Sequence, residues 1–306
     1  MAIGQIAAYR VDGLLASGAK AQVYLAYDER LERQVALKLI LLPEQRQQRE
    51  RVLQEARCLA AIDSSRVTKV YDVLYLRNYI VFVLQYVCGC TVDQLMRCYP
   101  ISVAMAASIA ADLSQALVDV HKSQIIHRDL KASNVFINRQ GRAVLGDFGI
   151  AVDAGSALKD HRGSRACVSP EQYLGDALTP ETDLFSLGVL LYRLLWGCHP
   201  FYSRGYLDEQ RLLKGDFIPF AETPNRAQRV PKVLCELLTE LLQPQAVGRS
   251  LDADLVARRL RSVCRTTRQD AQLKLASEAM RAASMLPEPE KIPLPFDLLE
   301  WHNLLN

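Results

Sequence analysis

The chain has 306 residues, half of them hydrophobic and 23% charged, which allows a sizeable core and matches an ordinary soluble globular protein. A net charge of +3 is too small to argue for nucleic acid or a membrane surface as partner. The apolar run at 184–197 is broken by Arg193 and falls short of the roughly 20 residues of a span, and the start Met1-Ala2-Ile3-Gly4 has neither a basic and apolar leader nor a myristoylation glycine. The expectation is a cytoplasmic protein without a membrane span or a nucleic-acid partner.

In chain order, residues 9–15, 21–27, 34–41, 67–73 and 79–86 read as strands, short, rich in valine, leucine and tyrosine and bounded by polar or glycine residues. Between the third and fourth, residues 44–62 carry Val52, Ala56 and Leu59 at helical spacing with charges between. The order is three strands, one helix, two strands. After Gly89 helices dominate: 102–123, with Ile109, Leu113, Leu117 and Val120 on one face, then 182–196, 233–242 and 252–263. The stretch between the first two is dense in glycine, aspartate, asparagine and histidine, a composition for loops that carry polar chemistry. This predicts an α+β architecture with a small sheet-rich lobe (9–87), a hinge near 85–89 and a larger helical lobe (91–263). A cleft between lobes is a favoured place for a small-molecule site.

Residues 264–306 form an extension. Its first part, 266–285, reads as a helix. Residues 286–295 contain four prolines, at 287, 289, 293 and 295, and are predicted not to be helical. The apolar end at 296–305, with Phe296 and Trp301, either packs back on its own domain or offers an apolar helix to a partner. Eight cysteines show no paired C-x-x-C spacing, so a structural zinc site is not expected. Cys88, Cys90 and Cys98 read as residues of a connecting segment, with a redox switch as the alternative.

The densest chemistry lies in Ile126-His127-Arg128-Asp129-Leu130-Lys131-Ala132-Ser133-Asn134, followed by Asp147-Phe148-Gly149. Two carboxylates and a carboxamide offer hard oxygen ligands suited to Mg²⁺ and one carboxylate able to accept a proton. Upstream, Val35-Ala36-Leu37-Lys38 puts a lysine on a strand, and Glu55 lies on the following helix. Alone, that pair would read as a surface salt bridge of little worth.

In this order the pieces resemble the eukaryotic-type protein serine/threonine kinase family, over about residues 9–263, with H-R-D-L-x-x-x-N matched at every defined position. The compact domain and the Ser169-Pro170-Glu171-Gln172 run are most similar to bacterial members. The resemblance implies a two-lobed kinase fold, a small antiparallel sheet with one helix beside a larger helical lobe, and transfer of the γ-phosphoryl of ATP to hydroxyls of protein substrates. It gives Asp129 the substrate proton, Asn134 and Asp147 the Mg²⁺, and Lys38 the ATP phosphates with Glu55 as its ion-pair partner. Leu15, Val23, Ala36 and Phe136 would wall the adenine, Leu84 would back it, and Gln85 and Val87 would offer backbone hydrogen bonds. Lys131 is the residue of serine/threonine rather than tyrosine kinases. The resemblance further implies that Glu171 pairs with Arg249, that Asp183 props the catalytic loop, and that Ser156 could carry a phosphate facing Arg128.

The glycine-rich loop departs from the pattern. G-x-G-x-x-G falls on Ala16, Ser17, Gly18, Ala19, Lys20 and Ala21, before Gln22, so only the middle glycine survives. Backbone N–H groups remain to donate to phosphate, on a stiffer chain. This supports a pseudokinase or scaffold as the alternative, although Lys38, Asp129 and Asp147 are all present. A small-molecule kinase would lack the segment from Gly163 to Glu171 and Lys131 in this role.

Overall fold

Alternation of valine, leucine and tyrosine builds a six-stranded antiparallel sheet in the computed structural model. The structure describes residues 3–295 except 19–20, 44, 77, 149–151, 154–165, 224–228, 250, 264–266 and 293. The expected activation-segment residues Ser156, Gly163 and Ser164, the loop residues Ala19 and Lys20, and the apolar end at 296–305 lie outside the described residues.

Two compact units divide the chain: residues 1–60, 68–86 and 284–306 make one, and 61–67 and 87–283 the other. The smaller contains β1 (Gly4–Ile6), β2 (Tyr9–Ser17), β3 (Ala21–Asp28), β4 (Arg33–Leu41), helix α1 (Arg46–Ala61), β5 (Val70–Tyr75) and β6 (Tyr79–Gln85). Sheet order is β1-β2-β3-β4-β6-β5. The alternation sorts side chains onto two faces. On one, Ile40, Ile80 and Phe82 pack with Ala56 of α1. On the other, Tyr24, Ala26, Val35, Leu37, Leu39, Val81 and Val83 bury together with Leu294 from the end of the chain.

Two sequence expectations are corrected here. The sheet starts one strand earlier than residue 9, because Ile6 fills the core while Ala7 turns the chain at φ 50°. The strand expected at 67–73 begins only at Val70. Val67 instead bridges Leu145, inside the larger unit.

The larger unit holds β7 (Gly89–Thr91), α2 (Val92–Cys98), α3 (Val103–Lys122), β8 (Ile125–Ile126), β9 (Val135–Asn138), β10 (Ala143–Leu145), β11 (Val152–Asp153), α4 (Pro170–Leu174), α5 (Pro180–Trp196), β12 (Tyr202–Ser203), β13 (Tyr206–Leu207), α6 (Glu209–Lys214), α7 (Lys232–Leu241), α8 (Ala253–Val263) and α9 (Arg268–Met285). Helix α3 is the centre of this core, with Leu113, Leu117 and Val120 fully buried and α5 and α8 packed against it. Among the described residues α3, not the 184–197 run, has the length and composition to cross a membrane, but most of it is buried within the fold, as in a core helix. The hairpin β9–β10 turns at Gly141 (φ 70°), where a Cβ would lie 2.0 Å from the Gln272 carbonyl of α9. Buried Asp112 ties the same corner together. It accepts the Ala143 N–H and has Arg66, Arg142 and Arg268 within 3.7 Å.

Candidate active site

The segment between β8 and β9 holds the candidate catalytic residues, and its shape is fixed by Asp183. Asp183, fully buried on α5, accepts the N–H of His127 and of Arg128, each at 2.9 Å, and pairs with the His121 ring nitrogen at 2.9 Å. Burial opposes its ionisation. The His121 hydrogen bond and the His121 and His127 rings outweigh that, holding the carboxyl below the ordinary carboxylate range. The His127 ring bridges two strands of backbone, with Nδ1 accepting the Asp129 N–H (3.2 Å) and Nε2 donating to the Gly146 carbonyl (3.1 Å). That pair of bonds selects the Nε2–H tautomer. Phe148 meets the ring edge-on at 4.5 Å.

Held this way, Arg128 and Asp147 take left-handed backbone conformations, φ 68° and 58°. Each costs about 1 kcal/mol or more, a strain found where surrounding structure over-determines a functional loop. Gln172, at the start of α4, donates to the Arg128 carbonyl at 2.8 Å and secures that turn from the other side.

Asp129 stands at the surface of this scaffold, partly exposed. Its Oδ2 accepts from Lys131 Nζ at 2.6 Å and from Asn134 Nδ2 at 3.0 Å. Asn134 also donates to the Asp129 carbonyl at 2.9 Å and accepts the Gly146 N–H on its own backbone oxygen. These bonds orient the amide so that Oδ1 points away from Asp129, toward the Ser133 hydroxyl at 3.5 Å. Asp147, exposed, follows Gly146 directly. Hydrogen bonds hold the Asp129, Lys131 and Asn134 side chains together, and the Gly146 N–H bond to the Asn134 carbonyl ties in the backbone that leads to Asp147. Glu171 pairs with Arg249 at 2.5 Å, both buried.

In the smaller unit, Val23 pairs with Lys38 and Ala36 pairs with Leu25 and Leu84 across β3, β4 and β6. Val23, Ala36, Lys38 and Leu84 consequently share the sheet face on which α1 packs. Lys38 Nζ meets Glu55 Oε1 at 2.5 Å with both side chains largely buried, unlike a surface pair. Leu15 is exposed, at a bulge in β2. Ala16 and Ser17 pair with Val23 and Gln22, and the Gly18 N–H donates to the Ala21 carbonyl. The Gln85 N–H donates to the Lys69 carbonyl. Val87 and Phe136 are half-buried in the larger unit. Among the described residues no three His, Cys, Asp or Glu side chains cluster to hold a metal alone. The Asn134 and Asp147 oxygens still suit Mg²⁺, which takes one or two protein oxygens and completes its shell from phosphates and water.

Sequence reasoning missed His121 and Gln172. Nothing in the sequence around His121 marks it as a partner of Asp183. For Gln172, the Ser-x-x-Gln capping pattern at 169–172 was available as a signal.

Comparison with known proteins gives the family. Residues 9–257 match the family model for the protein kinase domain. Among curated relatives, the chain is 31% identical over 200 residues to serine/threonine-protein kinase PrkC of Bacillus subtilis, covering 63% of this chain and 31% of that one. It is 35% identical over 205 residues to serine/threonine-protein kinase pkn2 of Myxococcus xanthus (63% and 25%). It is 34% identical over 208 residues to serine/threonine-protein kinase PknB of Mycolicibacterium smegmatis (63% and 33%). The matched stretch thus spans about a third or less of these relatives.

Proposed function

The chain belongs to the protein kinase domain family, alongside bacterial serine/threonine kinases, and from that premise we propose that it transfers the γ-phosphoryl of ATP to serine or threonine hydroxyls of other proteins. The observation that carries this reading is the Asp129 carboxylate, held by Lys131 and Asn134 on a loop anchored through Asp183. Asp129 accepts the proton of the attacking hydroxyl. Lys131 steadies charge on the transferring group. Asn134 and Asp147 hold Mg²⁺, which when bound supplies neutralisation of phosphate charge. Lys38, fixed by Glu55, binds the non-transferred phosphates. The backbone N–H groups of the 16–21 loop cover them. In the smaller unit, Leu15, Val23, Ala36 and Leu84 offer an apolar surround for adenine.

A cytoplasmic location follows as part of the same proposal. Autophosphorylation, with Ser156 as an acceptor, belongs to it too. The alanines at 16 and 21 favour one second reading, a nucleotide-binding pseudokinase. The test is incubation with γ-labelled ATP, Mg²⁺ and a generic basic protein, followed by phosphoamino-acid analysis. Phosphoserine or phosphothreonine is expected. A folded, ATP-binding protein that transfers nothing would support the pseudokinase instead.

A further inference from the structure

The proline-rich end of the chain is built into the strand that leads to the phosphate-binding loop. Strand β1 covers the outer edge of β2 only as far as Val11. Beyond it the edge of β2 would present unpaired backbone groups. Glu290 fills the next place. Its carbonyl accepts the Leu14 N–H at 2.8 Å, and its N–H donates to the Leu14 carbonyl at 3.1 Å. One residue earlier, Pro289 lies so close to Gly13 that a Cβ there would meet the Pro289 Cβ at 2.5 Å and its carbonyl oxygen at 2.8 Å. Four residues later, Leu294 is buried with Tyr9, Val11, Leu14 and Tyr24 on the sheet face opposite Lys38. A backbone pair and a glycine that makes room lie within three residues of Ala16, and a buried leucine joins the core of the same sheet.

We propose that Pro289, Glu290 and Leu294 form a positioning segment for nucleotide binding: the chain's own extension pairs with the edge of β2 at Leu14 and holds that strand in register, so that the loop it leads into is set for phosphate. The inference rests on reading that loop as phosphate-binding. It also addresses the missing glycines, since a loop with a fixed base needs less freedom of its own. Glu290 acts through its backbone, because its side chain is exposed. The segment touches no reacting atom and acts on binding rather than transfer.

The test uses the full chain and four variants. Glu290→Pro removes the donor to Leu14, and Leu294→Asp places a charge in the core. Glu290→Ala and Leu294→Met are the conservative counterparts. Amide exchange at Leu14 is followed without nucleotide, nucleotide affinity is measured by direct titration with non-hydrolysable ATP analogue and Mg²⁺, and KM for ATP is compared with kcat. For Glu290→Pro and Leu294→Asp the expected results are faster Leu14 exchange, about three- to ten-fold weaker nucleotide binding, and a rise in KM exceeding any fall in kcat. The conservative pair should behave as wild type. If Leu294→Asp does not fold, Glu290→Pro, at an exposed position, carries the test alone. Unchanged Leu14 exchange in Glu290→Pro overturns the pairing, and faster exchange with unchanged affinity overturns the positioning role. Both readouts are independent of phosphoryl transfer, so an inactive wild-type chain would refute the proposed activity without touching this result.

Discussion

At the scale of single residues, His199 sets a stability limit on the acid side. Its Nε2 donates to the Ala166 carbonyl at 2.9 Å, its Nδ1 accepts the Phe201 N–H at 3.1 Å, and the ring stacks on Tyr202. Burial pushes its pKa down to about 3, the Ala166 carbonyl opposing and Arg193 adding to the shift. An unfolded histidine titrates near 6.5, so between about pH 6.5 and 3 the unfolded chain binds a proton that the folded one refuses. Stability from this group is complete above about pH 6.5 and is lost as the pH falls. The slope approaches about 1.4 kcal/mol per pH unit. Asp183, depressed below the carboxylate range, adds a second loss at lower pH, as the solution approaches its folded value. Urea midpoints from pH 7 to pH 4.5 should fall for the wild type and flatten for His199→Gln; parallel slopes would reject the assignment. The residues proposed to react were legible because Asp129, Lys131, Asn134 and Asp147 lie in two short linear patterns. His121 was not, because it reaches Asp183 from 62 residues away through the fold alone.

At the scale of elements, helix α9 shows how the extension is joined to the larger unit. Ala271, Leu275, Ala279 and Ala282 are buried along one face. Gly141 accepts the helix backbone at a spacing that leaves no room for a methyl group, in a left-handed conformation. Gly141→Ala should therefore cost about 2 kcal/mol or more, from backbone strain and displacement of α9 together. A thermal melt should show a drop of several degrees, with amide protection lost first at 268–285; a wild-type melt would contradict the close approach. The long periodic helices were readable to within two residues, since packing repeats one apolar face. Short elements escaped. Helix α2 has only two buried residues, although its Thr91–Gln94 capping box was present as a signal. Strand β1 is too short to alternate. The pairing at Glu290 could not be read, because four prolines argue only against helix and nothing local names a partner 276 residues earlier.

At the scale of the whole molecule, the order of strands and helices followed from periodicity, while the return of residues 284–306 to the smaller unit did not, because it depends on one buried leucine and one backbone pair. The account makes the catalytic loop an anchored scaffold with Asp129 as its single proton acceptor, and nucleotide binding a property of other residues. Asp129→Asn should keep the fold, since asparagine can still accept from Lys131 and Asn134, yet lose the acceptor. The measurement is transfer of labelled γ-phosphate with Mg²⁺ by wild type and Asp129→Asn, beside titration of both with a non-hydrolysable ATP analogue. The account predicts equal folding, nucleotide affinity within a few-fold, and label transfer reduced by about 10²-fold or more in the variant. Wild-type transfer by Asp129→Asn, or no transfer by a wild type that binds ATP, would contradict it.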